Sequence, residues 1–174
     1  MKTDKNKTGR WTVSCLILSL LMLFYACPYE SEFPLQEPSD SVWDPLLAGS
    51  WTNSEQEDIV IIYPVCGNEY LIFGCKPETN AKVSLDTGIF RAFVTEINQR
   101  SFLNLQSADL LTQEKDHYIF AEYYFREDSL VIKIIGEKLF EKSFETRAEL
   151  LEFIRSNMDN DELFMDELIL VKAP

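Results

Sequence analysis

The chain has 174 residues, with 16 basic against 29 acidic side chains, a net charge of −13 and a single histidine. That length suits one domain built on one core. An acidic surface without a long run of Lys or Arg repels polyphosphate, which argues against nucleic acid as a partner.

In chain order, residues 1–10 carry Lys2, Lys5, Lys7 and Arg10 against Asp4, and residues 11–26, WTVSCLILSLLMLFYA, carry no charge. A charged start before an apolar run is the layout of a secretory signal. The run of 16 residues falls short of the roughly 20 that a bilayer-spanning helix needs. Ordinary signal peptidase requires small residues at the last and third-last positions before the cut; Ala26 is small and Phe24 is not. The sequence FYAC instead resembles the lipobox of bacterial lipoproteins, in which a small residue precedes a cysteine. The resemblance implies that residues 1–26 are a lipoprotein signal peptide cut between Ala26 and Cys27. Cys27 is then lipidated, and the exported chain is anchored in the cell envelope, at the outer membrane. Each buried methylene of an acyl chain contributes about 0.8 kcal/mol, so several chains on one cysteine anchor a protein without a transmembrane helix.

Loss of residues 1–26 leaves 12 basic against 28 acidic side chains, a net of −16. Residues 27–45, CPYESEFPLQEPSDSVWDP, hold four prolines and five acids. Proline denies regular hydrogen bonding and the acids solvate the chain. This composition predicts a lipidated Cys27 followed by an acidic, Pro-rich tether. Glu30 and Glu32 also resemble a surface-export signal of some Gram-negative lineages; in plain physical terms they are solvating charges.

Residues 46–174 read as one β-rich domain. Runs rich in β-branched and aromatic residues occupy 57–65, 68–75, 88–97, 101–107, 117–127 and 129–136. Turn residues separate them: Cys66-Gly67, Asn98-Gln99-Arg100 and Glu127-Asp128. The period changes at 146–158, TRAELLEFIRSNM, which predicts an amphipathic helix. Thr146 is its N-cap, with Glu149 three residues on as the partner of a capping box. Leu150, Leu151, Ile154 and Met158 form the apolar stripe, expected to dock through Leu151 and Ile154. A last strand is predicted at 167–173. Sequential hairpins predict an antiparallel meander, closed into a small barrel or a strongly curled sheet, with one C-terminal helix before the final strand.

Gly49-Ser50-Trp51 resembles the G-x-W that opens the first strand of lipocalins, where the tryptophan plugs the closed end of the barrel under a basic side chain. Over most of the mature chain, the order of FRAFVTEINQRSFLNL, YYFREDSLVIKII, FETRAELLEFIRSNM and ELFMDELILVK resembles a group of small uncharacterised bacterial lipoproteins. Leu47, Gly49 and Trp51 match the start of that pattern. The likeness implies location and a β-rich, lipocalin-like domain, and it implies no activity.

Little in the chain points to catalysis or to a cofactor. His117, at the start of a strand, has no nucleophile elbow to serve. Zinc would need several His or Cys ligands at suitable spacing. The acidic DNDEL at 159–163 lacks the Gly and Glu of a calcium loop. Cys66 and Cys75 flank an extended segment of about 30 Å, too long for a disulfide unless the strand is broken, so they are expected as free thiols. Two non-enzymatic roles remain, the first favoured and the second its alternative, because a filled core is the commoner fate of a domain this small. One is a structural or protein-interaction module whose barrel is filled by its aromatics, with an envelope protein as partner. The other is a carrier of a small apolar ligand held within the barrel.

Overall fold

The computed structural model describes residues 27–53, 59–77, 83–84, 88–108, 117–140 and 143–173, without the side chains of Cys75, Lys76, Pro77, Val83, Ser84 and Asp166. The expected signal peptide, Ala26 included, lies outside the described residues.

Among the described residues the fold has ten strands and one α-helix: β1 Glu30–Ser31, β2 Gly49–Thr52, β3 Ile59–Pro64, β4 Glu69–Pro77, β5 Val83–Ser84, β6 Phe90–Ile97, β7 Arg100–Ser107, β8 Tyr118–Arg126, β9 Ser129–Ile135, α1 Arg147–Asn157 and β10 Phe164–Lys172. Eight of them form a closed antiparallel barrel in the order β2-β3-β4-β6-β7-β8-β9-β10, and β10 returns to pair with β2. Closure removes the open edges that would otherwise recruit other chains. At one end, here the turn end, tight turns join β3 to β4, β6 to β7 and β8 to β9. Asn68, Asn98, Gln99 and Glu127 take positive φ there, as hairpin turns that follow the twist of the strands require. At the opposite, loop end, β2 and β9 finish and β3 and β10 begin.

Register divides the walls into two faces, because residues directly opposite each other share a face. Tyr70 pairs with Ala92, Ala92 with Leu105, Val94 with Leu103, Tyr123 with Ile132, Phe125 with Leu130, and Leu170 with Leu130. These residues face inward and form one core with Leu47, Trp51 and Ile62. The alternate residues Phe102 and Phe120 face outward, and a second core lies over them. Its cover is α1 together with the N-terminal segment.

That cover corrects the tether expectation. Tyr29 and Leu35 are buried, β1 pairs with β8, Pro28 bridges to Gly136 and Val42 bridges to Val94. Tyr29 stacks on Phe140 with centroids 3.6 Å apart. Prolines and acids suggested a solvated linker, yet both are compatible with packing here. The prolines stand where no ladder donor is required, while the interleaved Tyr29 and Leu35 supply the contact. The folded domain therefore begins beside Cys27, not at residue 46.

Thr146 caps α1 by accepting from the Glu149 N–H at 3.3 Å. The Glu149 carboxylate reaches back to the N–H of Glu145, one residue before the position a standard capping box uses. Leu150, Ile154 and Met158 are the fully buried row, and Leu151 packs only partly against it. The docking expectation is thus corrected from Leu151 to Leu150. The spacing i, i+4, i+8 makes Leu150, Ile154 and Met158 one continuous ridge.

Candidate functional site: a plugged barrel with apolar loop-end walls

The turn end is plugged. Trp51 is buried inside the barrel, and its indole N–H donates to the Leu47 carbonyl at 2.9 Å. The Lys172 ammonium stands 3.9 Å from the ring centroid and donates to the Ala48 carbonyl, a cation–π contact closed off by a backbone acceptor. Gly49 makes room for it. Its φ is +139°, and a Cβ there would lie 2.6 Å from Lys172 Nζ. The basic side chain over a buried tryptophan, implied by the G-x-W resemblance, is therefore present. A surface groove of about 540 Å³ beside it is lined by Leu46, Phe125, Glu127, Asp128 and Val171 as well as Trp51 and Lys172.

Residues before β2 complete the plug. Tyr70 OH donates to the Asp44 carbonyl at 2.8 Å, and the Asp44 N–H donates to Tyr70 OH. Tyr123 OH donates to the Asp44 carboxylate at 2.9 Å. Trp43 stacks on Tyr70. Burial, and then the Asp44 charge, push the Tyr123 phenol far above its ordinary range, and burial raises that of Tyr70 as well. Both therefore stay neutral and act as hydrogen-bond donors.

The loop-end half of the interior is different. The inward positions there are Val60, Ile72, Phe90, Leu105, Ile119, Ile132, Ile134 and Leu168, placed by their pairings: Ile72 opposite Phe90, Leu105 opposite Ile119, Ala121 opposite Ile134, and Leu168 opposite Ile132. Each is apolar and each remains partly or largely exposed, Leu168 at 42%. The turn-end positions Leu47, Trp51, Ile62, Tyr70, Val94, Leu103, Tyr123, Leu130 and Leu170 are buried. The buried inward residues thus gather toward the turn end, with Phe125 partly exposed beside them, and most of the partly exposed inward residues lie toward the loop end, where Ala121 is buried.

Cys27 sits at the loop end of the barrel. Its carbonyl accepts from the Glu137 N–H, Pro28 bridges to Gly136, and the Tyr29 N–H donates to the Ile135 carbonyl. All three partners follow or end β9, at the loop end. Cys27 is exposed and its thiol is free.

His117 is exposed, with Nδ1 3.9 Å from a Glu30 carboxylate oxygen. Asp159 pairs with Arg100 and Glu162 with Lys138, so two of the DNDEL acids are neutralised separately. Among the described residues, no three His, Cys, Asp or Glu side chains gather in a group that could hold a metal ion. Cys66 is exposed and unbridged, and Cys75 stands on β4 opposite Ile59.

Gly49 and Trp51 are legible in the sequence, whereas the roles of Asp44 and Lys172 and the inward face of each strand are not. A Pro-flanked aspartate seemed a linker charge, and the partner of Trp51 lies at the far end of the chain. The alternation of residues in each strand is the available signal for the two faces, but only register decides which face turns inward. Comparison of the chain with models of protein families gives no match, and comparison with curated proteins and with solved structures gives none either.

Proposed function

We propose that the chain is a lipid-anchored lipoprotein of the cell envelope, attached through Cys27, and that its barrel is a non-enzymatic carrier of a small apolar ligand. The observation that supports the ligand reading is the row of partly exposed apolar inward residues at the loop end, Val60, Ile72, Phe90, Leu105, Ile119, Ile132, Ile134 and Leu168. The lipocalin-like arrangement of Gly49, Trp51 and Lys172 supports it, because it fills the barrel interior at the turn end. The charged residues 1–10, the apolar run 11–26 and the Ala26-Cys27 pair support the anchor. Titration with an uncharged environment-sensitive dye such as N-phenyl-1-naphthylamine tests the carrier reading. Saturable binding is expected, and it should be lost when Leu105 is replaced by Trp in a protein that keeps its fold. Metabolic labelling with a fatty-acid analogue tests the anchor; Cys27→Ser should abolish it.

A second reading, a protein-interaction module, rests on a separate observation. The outer wall of β10, β3 and β4 lies away from α1 and presents Ile59, Ile61, Tyr63, Leu71, Ile169 and Val171, of which Tyr63 is 59% exposed. An apolar outer face of this kind is a feature of contact surfaces. Loss of a co-purified envelope protein on Tyr63→Glu, with dye binding intact, would favour that reading over the carrier.

A further inference from the structure

We propose that the groove at the turn end is a docking site for a polypeptide segment in which an apolar side chain stands next to Lys or Arg. This goes beyond the carrier reading, and the site lies at the other end of the barrel from the residues that support that reading.

The apolar lining of the groove is Leu46, Trp51, Phe125 and Val171, and its charged lining is Glu127, Asp128 and Lys172. Its volume of about 540 Å³ lies within the range of sites that enclose a small ligand. Leu46 is 62% exposed and Val171 37%, although the backbone of each is held. The Leu46 N–H donates to the Asp44 carboxylate at 3.0 Å, and that carboxylate also accepts from Tyr123. Val171 pairs with Thr52 on one side and Ser129 on the other. The fold therefore presents a leucine and a valine to solvent from fixed positions. A preformed apolar surface binds with little ordering cost. Because the groove is open to the surface, a side chain can enter it while its own backbone stays outside.

Charge selects the occupant. The Lys172 ammonium is already engaged by the Ala48 carbonyl and the Trp51 ring. Arg126, beside the same β8–β9 turn, reaches Glu167. Glu127 and Asp128 are exposed, and among the described residues neither has an ion-pair partner. The tight turn between the paired Arg126 and Ser129 holds both carboxylates beside the apolar lining. Two uncompensated carboxylates next to an apolar floor complement a cation carried beside an apolar group. The net charge of −16 after residue 26 attracts a basic partner and repels a second copy, whose turn end carries the same acids. A segment with Lys or Arg next to a large apolar residue supplies both halves of the match.

All described strands and α1 lie between residues 30 and 172, so a chain starting at Cys27 contains them. Such a chain, immobilised, is panned against a phage library of random short peptides. The enriched peptides should place Lys or Arg next to an apolar residue. The most enriched one, labelled with fluorescein, is then titrated by anisotropy. Glu127→Gln together with Asp128→Asn should weaken binding about tenfold, since each exposed ion pair contributes about threefold. Leu46→Ser should weaken it about tenfold through lost apolar contact. Added salt should weaken the parent and leave the double variant nearly unchanged. All three positions are exposed, so both variants should keep the parent melting temperature, and Leu46→Ala replaces Leu46→Ser if that one does not. Failure to enrich any peptide, or enrichment of peptides without a basic residue, overturns the proposal. So does a selected peptide that binds the variants as tightly as the parent. Tyr63→Glu should leave peptide binding unchanged; a loss there moves the contact to the outer wall and overturns the groove as the site. A parent dimer in sedimentation that Leu46→Ser dissociates gives the groove to a second copy, and the proposal falls.

Discussion

Gly49 and Lys172 are 123 positions apart and act on the same indole. Any side chain at position 49 must accept a φ of +139° and displace the ammonium over Trp51. Gly49→Ala should therefore cost about 1–3 kcal/mol from backbone strain, read by urea unfolding; a wild-type midpoint would mean that Lys172 moves aside freely. Trp51→Ala removes a buried ring and should cost about 3–5 kcal/mol. Tyr123 gives a pH dependence. Its phenol is raised by burial and by Asp44, whereas in the unfolded chain it ionises near about 10. The folded state thus holds a proton that the unfolded state releases. Stability is complete below about pH 10 and falls as pH rises above it. Melting temperatures measured through that range should decline steeply. Tyr123→Phe should flatten the decline while lowering stability at neutral pH through the lost bond to Asp44.

At the level of elements, much of the chain was legible because local chemistry decides it. The hairpins around Asn98-Gln99 and Glu127-Asp128 follow from short polar breaks between β-branched and aromatic runs, and of the residues at positive φ there only Asn98 is of a type that favours it. The helix follows from its cap and its 3.6 period. Its depth of contact was not legible, since Leu150 and Leu151 are equivalent in pattern and only the direction of approach separates them. The structure makes that difference measurable. Leu150→Ala and Ile154→Ala should each cost about 2–5 kcal/mol, and Leu151→Ala clearly less, all by denaturant unfolding. Thr146→Ala should cost about 1 kcal/mol through the Glu149 N–H left without its acceptor. An order in which Leu151 exceeds Leu150 would place the helix in a different rotation on the barrel.

For the whole molecule, what the sequence hides is non-local. Pairing of β10 with β2 joins Val171 to Thr52 and Lys172 to Trp51, and no local pattern announces it. The same holds for the N-terminal segment, which looked unstructured because its partners lie far along the chain. The Leu35 N–H donates to the Asn104 side-chain oxygen at 2.7 Å, inside the second core. Asn104 in turn donates to Thr95 at 2.8 Å and to the Phe93 carbonyl. This buried amide is satisfied only when residue 35 is in place, and an unsatisfied buried acceptor costs about 1–3 kcal/mol. A chain beginning at Leu46 would also uncover Phe102 and Phe120 and lose the plug made by Asp44. It should therefore melt well below the chain that begins at Cys27 and bind an apolar surface dye, while a dispensable tether would leave both quantities unchanged. Asn104→Ala in the longer chain separates the two contributions. It removes the polar anchor and leaves Tyr29 and Leu35 able to pack, so its melting temperature should fall between those of the parent and the truncated chain. If it falls as far as truncation does, the hydrogen bonds hold the segment; if it stays near the parent, the apolar contacts do.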